Sequence, residues 1–211
     1  IPSNIGHLVH LNELLLARNH FTGSIPTSLF QLSSSLSCLN LVSNSLNNTI
    51  SSEFIKLSKL ITLELGDNSF TGTLPDIFEG LLLLTKLSLE LNNIIGTIPS
   101  SLGFLSNLII LQLDMNNLKG TVPSELGSLT NLTTLDLSLN ELTGVIPPSF
   151  SQLISLKVLK MSSNALQGSL SSVLFQLKSL ILLSLSDNYF TGIIPSTLAD
   201  LTDLGRLFLG R

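Results

Sequence analysis

Residues 131–147 read NLTTLDLSLNELTGVIP. Leu132, Leu135, Leu137 and Leu142 stand at fixed offsets from Asn140, and the stretch closes on Gly144, Val145, Ile146 and Pro147. Between 133 and 138 apolar and polar residues alternate, so a short strand sends Leu135 and Leu137 to one side and Asp136 to the other. Working outward, the same pattern returns at Asn19, Asn44, Asn68, Asn92, Asn116, Asn164 and Asn188, with every step 24 residues except the first, which is 25. A period in the low twenties means a coil that stacks on copies of itself, with one parallel strand added per turn.

Each recurring residue then has a physical task. The asparagine amide, placed where the chain turns away from the strand, can donate to and accept from main-chain groups of adjacent coils. Left unpaired, such groups cost roughly 1–3 kcal/mol each. Asn19, Asn44, Asn68, Asn92, Asn116, Asn140, Asn164 and Asn188 are therefore expected to form a ladder. Four residues after the asparagine stands glycine, except for Asn48 in the second repeat. Glycine suits a backbone that a side chain would hinder, and asparagine is among the residues that best tolerate left-handed geometry. Proline follows at plus 7, replaced by Ser51 and Ser171 in two repeats. The extra residue of the first step is expected within Ser33, Ser34 and Ser35, on the outer side of the coil.

The pattern LxxLxLxxNxLxGxIP resembles the plant-type leucine-rich repeat of receptor-like kinases, receptor-like proteins and polygalacturonase-inhibiting proteins, and it covers essentially the whole chain. The resemblance implies an α/β fold: a right-handed solenoid with a parallel concave sheet and short 3-10 or irregular convex segments. Residues 1–211 are expected to form a single solenoid of about eight repeats with partial repeats at both ends, without caps, as a piece of a longer protein. The resemblance further implies extracellular or cell-surface placement and recognition of a protein or peptide ligand on the concave face, with a co-receptor or larger complex as a possible partner. Two other classes remain open: an accessory or assembly subunit of an organellar or lumenal complex, and a secreted inhibitor of a wall-degrading enzyme.

Composition limits the chemistry. Of 211 residues, 44% are hydrophobic and 11% charged, with a net charge of -4, so the basic footprint of a nucleic-acid binder is missing. Cys38 is the single cysteine, which excludes an internal disulfide and a multi-cysteine zinc site. The apolar run 81–84 is far too short to insert in a membrane. His7, His10 and His20 have no third ligand or nucleophile at a useful spacing, and glycine never occurs as a phosphate-binding cradle. No catalytic residue, metal or cofactor is indicated.

What remains is a surface that changes from coil to coil. On the outward positions of stacked strands, Glu64, Glu90, Asp114 and Asp136 form an acidic zone bordered by Lys86 and Lys160. One position further, Leu91, Met115 and Leu139 replace the polar residues found there in other repeats. Rimmed apolar patches often mark interfaces, so these nine residues are the candidate partner-binding site; side chains folded down to tune packing are the alternative. Asn47 and Asn131 begin sequons for N-glycosylation, at a frequency that chance alone accounts for in a chain this rich in Asn, Ser and Thr.

Overall fold

The computed structural model of the chain describes residues 1–170, 172 and 174–210. The alternating segments form a nine-stranded parallel sheet, from Glu13–Leu15 through Cys38–Asn40, Thr62–Glu64, Lys86–Ser88, Ile110–Gln112, Thr134–Asp136, Val158–Lys160 and Leu182–Ser184 to Arg206–Phe208. This concave sheet keeps strict register, with Leu111 beside Leu135 and Leu135 beside Leu159. The leucines point inward as alternation requires: Leu135, Leu137 and Leu159 have no exposed surface and form one continuous core with their equivalents in the inner coils, while Leu207 of the last strand is exposed. The helical segments of the convex side are 3-10 turns, such as Ser100–Phe104 and Ser124–Ser128. The architecture is the α/β leucine-rich solenoid that the resemblance implies.

The asparagines occupy the joint where each coil leaves the concave sheet. Asn140 accepts the Leu118 amide at 3.0 Å on Oδ1, while its Nδ2 donates to Leu113 of the preceding coil at 3.0 Å and to Leu137 and Ser138 of its own at 3.2 Å. Asn116 and Asn92 repeat this pattern. In the first coil Asn19 donates only to Leu16 and Ala17 and is exposed.

After the joint the chain forms a second, eight-stranded parallel sheet that the repeat pattern does not announce. Its strands run from Thr22–Gly23 through Ser45–Thr49, Ser69–Thr73, Asn93–Gly96, Asn117–Thr121, Glu141–Gly144 and Ala165–Ser169 to Tyr189–Thr191. The recurrent glycine lies in these strands, or just after the strand in the last coil, with φ between 76° and 88°, and Asn48 takes the same place with φ 81°. Here the left-handed turn bends the coil, so the one departure in sequence is a residue that tolerates the same backbone.

Proline then starts the 3-10 turn. Pro147, with φ -59° and ψ 133°, accepts the Phe150 amide at 3.0 Å. Ser51 does the same for Phe54 and adds a side-chain cap, accepting the Glu53 amide at 3.1 Å on Oγ. Ser171 lies outside the described residues. The additional residue of the first step lies within Ser33, Ser34 and Ser35, as expected: Leu36 donates to Leu32 across an α-type turn where Leu156 reaches Leu153 across a shorter one, and Glu13 still pairs with Cys38.

Candidate functional site

The nine candidate residues all lie on the concave side. Strand pairing brings Asp136 between Gln112 and Lys160, and Glu64 between Asn40 and Ser88. Charges then divide them. Lys86 forms an ion pair with Glu64, which also accepts the Asn40 amide at 3.3 Å. Lys160 pairs with Asp136 at 3.0 Å, and Asp136 is buried, accepting from the Ser138 hydroxyl at 2.6 Å and the Ser138 amide at 3.1 Å. The acidic zone is therefore neutralised at its two sides, and Glu90 and Asp114 are left at its centre without a cationic partner among the described residues.

Glu90 is held in place by the Ser88 hydroxyl, which donates to it. Its carboxylate lies over Gly66, where an added Cβ would come within 2.2 Å of Oε1. Gly66 thus makes room for the acid of the next coil. Asp114 is more constrained, because its Oδ1 is shielded from solvent and has no hydrogen-bond partner. Burial, first, and the charge of Asp136 push the Asp114 carboxyl up to about 6; Glu90 adds to this, while a backbone amide and Lys160 oppose it. A cation placed here would relieve both the repulsion and the lost solvation.

Beside the acids, Leu91, Met115 and Leu139 have φ of 53°, 55° and 54°. This left-handed conformation recurs at the position before the ladder asparagine in every coil, from Arg18 to Asp187. For a branched or long side chain it costs roughly 1–2 kcal/mol. The side chains are nonetheless not buried in compensation: 41% of Leu91, 41% of Met115 and 49% of Leu139 is exposed. The backbone strain at this column is invisible in sequence, because residue types there vary and no glycine advertises it.

A shallow trough of about 500 Å³ opens along the edge where the concave strands begin, lined by Ile61, Leu83, Thr85, Asn107, Ile109, Asn131 and Thr133. Asn131 is exposed and donates to the Ser106 carbonyl at 2.9 Å. Asn47 is exposed as well, on the second sheet, far in sequence from the acidic centre. Cys38 accepts a bond from the Thr62 hydroxyl at 2.9 Å and belongs to the sheet. Among the described residues, no group of three or more acidic, histidine or cysteine side chains could hold a metal, and no helix is long and apolar enough to cross a membrane.

The second sheet presents a different surface. Thr49, Thr73, Thr97 and Thr121 are exposed at the same place in four consecutive coils. The methyl of each reaches toward the glycine of the following coil: a Cβ built on Gly72, Gly96, Gly120 or Gly144 would meet Cγ2 of the respective threonine at 2.7, 2.7, 3.1 and 2.9 Å. The glycines therefore form sockets for the methyl groups. Of the side chains on this face, Lys119 and Glu141 carry formal charge.

Family models of the leucine-rich repeat match residues 106–166, and again 10–32, 59–81, 83–105 and 179–201. No curated protein matches the chain. Among solved structures it is similar to a TDR receptor, with 33% identity and a TM-score of 0.95 over 99% of this chain and 36% of that one. It is similar, with 32% identity and a TM-score of 0.94, to the Arabidopsis receptor kinase HAESA in complex with the peptide hormone IDA and the co-receptor SERK1, covering 99% of this chain and 35% of that one. A plant ice-binding protein is 29% identical with a TM-score of 0.73, over 99% of this chain and 76% of that one. The chain thus spans about a third of the length of the receptor chains it matches.

Proposed function

The chain belongs to the leucine-rich repeat family, in its plant-type form, and from that premise we propose that it is a non-catalytic recognition module binding a peptide or protein ligand on its concave sheet. Two of the structures it resembles are receptors, one of them captured with a peptide hormone and a co-receptor. A comparable role here places the module outside the cell or at its surface, as part of a receptor ectodomain.

The observation that carries this reading is local. Three consecutive coils hold apolar side chains in an unfavourable backbone conformation, exposed beside Glu90 and Asp114, the two acids with no cationic partner. A ligand that sets a basic group over these acids and an aliphatic or aromatic side chain against Leu91, Met115 and Leu139 would use both features. Glu64, Lys86, Asp136 and Lys160 bound the site and set its register through their ion pairs. The exposed aromatic of the concave sheet, Phe208, stands in its last strand, coils away from Glu90 and Asp114, so affinity at the acids rests on charge and shape shared over several coils.

The test is retention on arrayed peptides that carry Lys or Arg beside a large apolar residue. The unmodified chain should select a subset, and Glu90→Lys or Met115→Asp should weaken those hits by at least about tenfold, the equivalent of 1.4 kcal/mol. Equal retention of all three forms would remove the concave site from consideration.

A second reading attaches to the other sheet. One similar protein binds ice by its description, and the row of threonines seated in glycine sockets favours the same activity here. We propose that the chain adsorbs to ice and slows its recrystallisation, which is compatible with the same extracellular placement. Recrystallisation assays on frozen solutions of the chain measure this directly, and crystals that coarsen as fast as in buffer would eliminate it.

A further inference from the structure

We propose that the ice-binding surface is the outward face of the eight-stranded sheet, and that its contact groups are Thr49, Thr73, Thr97 and Thr121. This rests on the second reading above, and it deepens that reading by assigning the surface and the role of each group. An ice crystal is an uncharged, periodic array whose oxygens both donate and accept hydrogen bonds. A surface that fits it needs groups that do both, repeated at regular intervals, with little charge to hold liquid water.

The second sheet meets these conditions. A threonine hydroxyl both donates and accepts, and among the described residues none of these four hydroxyls is engaged by the protein. Strands lie about 4.8 Å apart and alternate residues about 6.7 Å apart, so the sheet repeats two fixed translations over eight strands. Across strands, Thr49 stands directly beside Thr71 and Thr121 beside Thr143. Freezing out side-chain motion on adsorption has an entropic cost. Here it is already met in folding, because β-branching restricts χ1 and each methyl sits in the socket of the next glycine.

The concave sheet offers no such surface, since its outward residues change in size and charge from coil to coil. Within the second sheet the charged pair of neighbours Lys119 and Glu141 interrupts the array, Lys119 at the position that Thr71 and Thr143 hold in other coils.

The experiment uses the chain produced without glycans, so that Asn47 leaves the face uncovered, and scores the concentration needed to arrest ice recrystallisation. Thr97→Lys should raise that concentration by about tenfold or more, Thr97→Val should raise it less because the seated methyl is kept, and Lys119→Thr should lower it. Ser184→Asp, on the concave sheet, should leave it unchanged, and circular dichroism melts establish that all four variants fold. If the unmodified chain arrests growth but Thr97→Lys and Lys119→Thr do not change the endpoint, the assigned surface is wrong while ice binding stands. If the unmodified chain is inactive, ice binding itself is rejected, and the assignment with it.

Discussion

The concave sheet and the second sheet are made from the same coils by the same parallel pairing, yet they present opposite kinds of surface. Outward positions of the concave sheet pass through Glu64, Gly66, Glu90, Asp114 and Lys160, so each coil differs from the last. Those of the second sheet hold Thr49, Thr73, Thr97 and Thr121 in succession over glycine sockets. Variation suits a ligand of discrete length and mixed charge; repetition suits a partner that is itself repetitive. One scaffold can carry both because its core leucines are indifferent to what projects on either side.

The largest effect is expected where the two sheets meet. Asn140 takes a second-sheet amide from Leu118 and gives to the carbonyls of Leu113, Leu137 and Ser138, where the concave strands end. Asn140→Ala leaves the Leu118 amide unpaired in the interior, while the carbonyls of Leu113, Leu137 and Ser138 keep their bonds from Asn116, Asn164 and the Met115 amide, a loss of about 2–3 kcal/mol. Denaturant unfolding should show that loss in a single transition common to both sheets. Asn19→Ala, at the exposed first coil, should cost less than about 1 kcal/mol. Equal costs at the two positions would mean that the ladder does not couple the sheets.

A smaller change separates them. Gly96→Ala forces a side chain into φ 84° and drives its Cβ to 2.7 Å from the Thr73 methyl. The expected cost is about 2 kcal/mol, with Thr73 displaced and concave-face ligand binding retained. Gly96→Asn should cost less, as Asn48 occupies the equivalent position naturally. Chemical denaturation ranks the two variants, and Asn at least as disruptive as Ala would contradict the backbone explanation.

Legibility differed between the sheets for physical reasons. Leu135, Leu137 and Asn140 are confined by burial and hydrogen bonding, so their types repeat and their placement could be read from spacing. The second sheet was missed because segments such as Ser69–Thr73 are mostly polar and hold a glycine, which reads as a turn; its strands are stabilised by stacking on equivalent strands. The candidate acids were legible as a cluster, but not their division into two paired and two unpaired groups. That depends on which carboxylates Lys86 and Lys160 reach. The left-handed column at Leu91, Met115 and Leu139 left no trace, since Arg18 and Ser163 adopt it as well.

Acidity should distinguish the surfaces too. Asp114 has its pKa raised to about 6, above its ordinary 3.8, so the folded chain favours the neutral acid. The sign follows from proton linkage: between these values the native state holds the proton more firmly, so this group's contribution to stability is fully present below 3.8 and falls as pH rises to about 6. Asp114→Asn should therefore raise the melting temperature more at pH 7 than at pH 4. A basic ligand of the concave face should bind the unmodified chain less well as pH drops from 7 to 5, while ice adsorption should be unaffected. Calorimetric melts and binding titrations at the three pH values check both halves.

The smallest expected effect bears on whether the apolar column serves packing or recognition. If Leu91, Met115 and Leu139 supported the core, a polar replacement would destabilise the chain in proportion to buried apolar area. Their exposure and φ values near 54° point the other way, because asparagine relaxes the backbone and removes little contact. Met115→Asn should thus stabilise the chain by roughly 0.5 kcal/mol, read as a rise in melting temperature of about 2 °C, while reducing affinity for concave-face peptides. A gain in stability joined to a loss of binding shows a residue retained against its own conformational preference for the sake of the surface. Destabilisation would assign the ridge to packing instead, and the contrast between the two sheets would then rest on Glu90 and Asp114 alone.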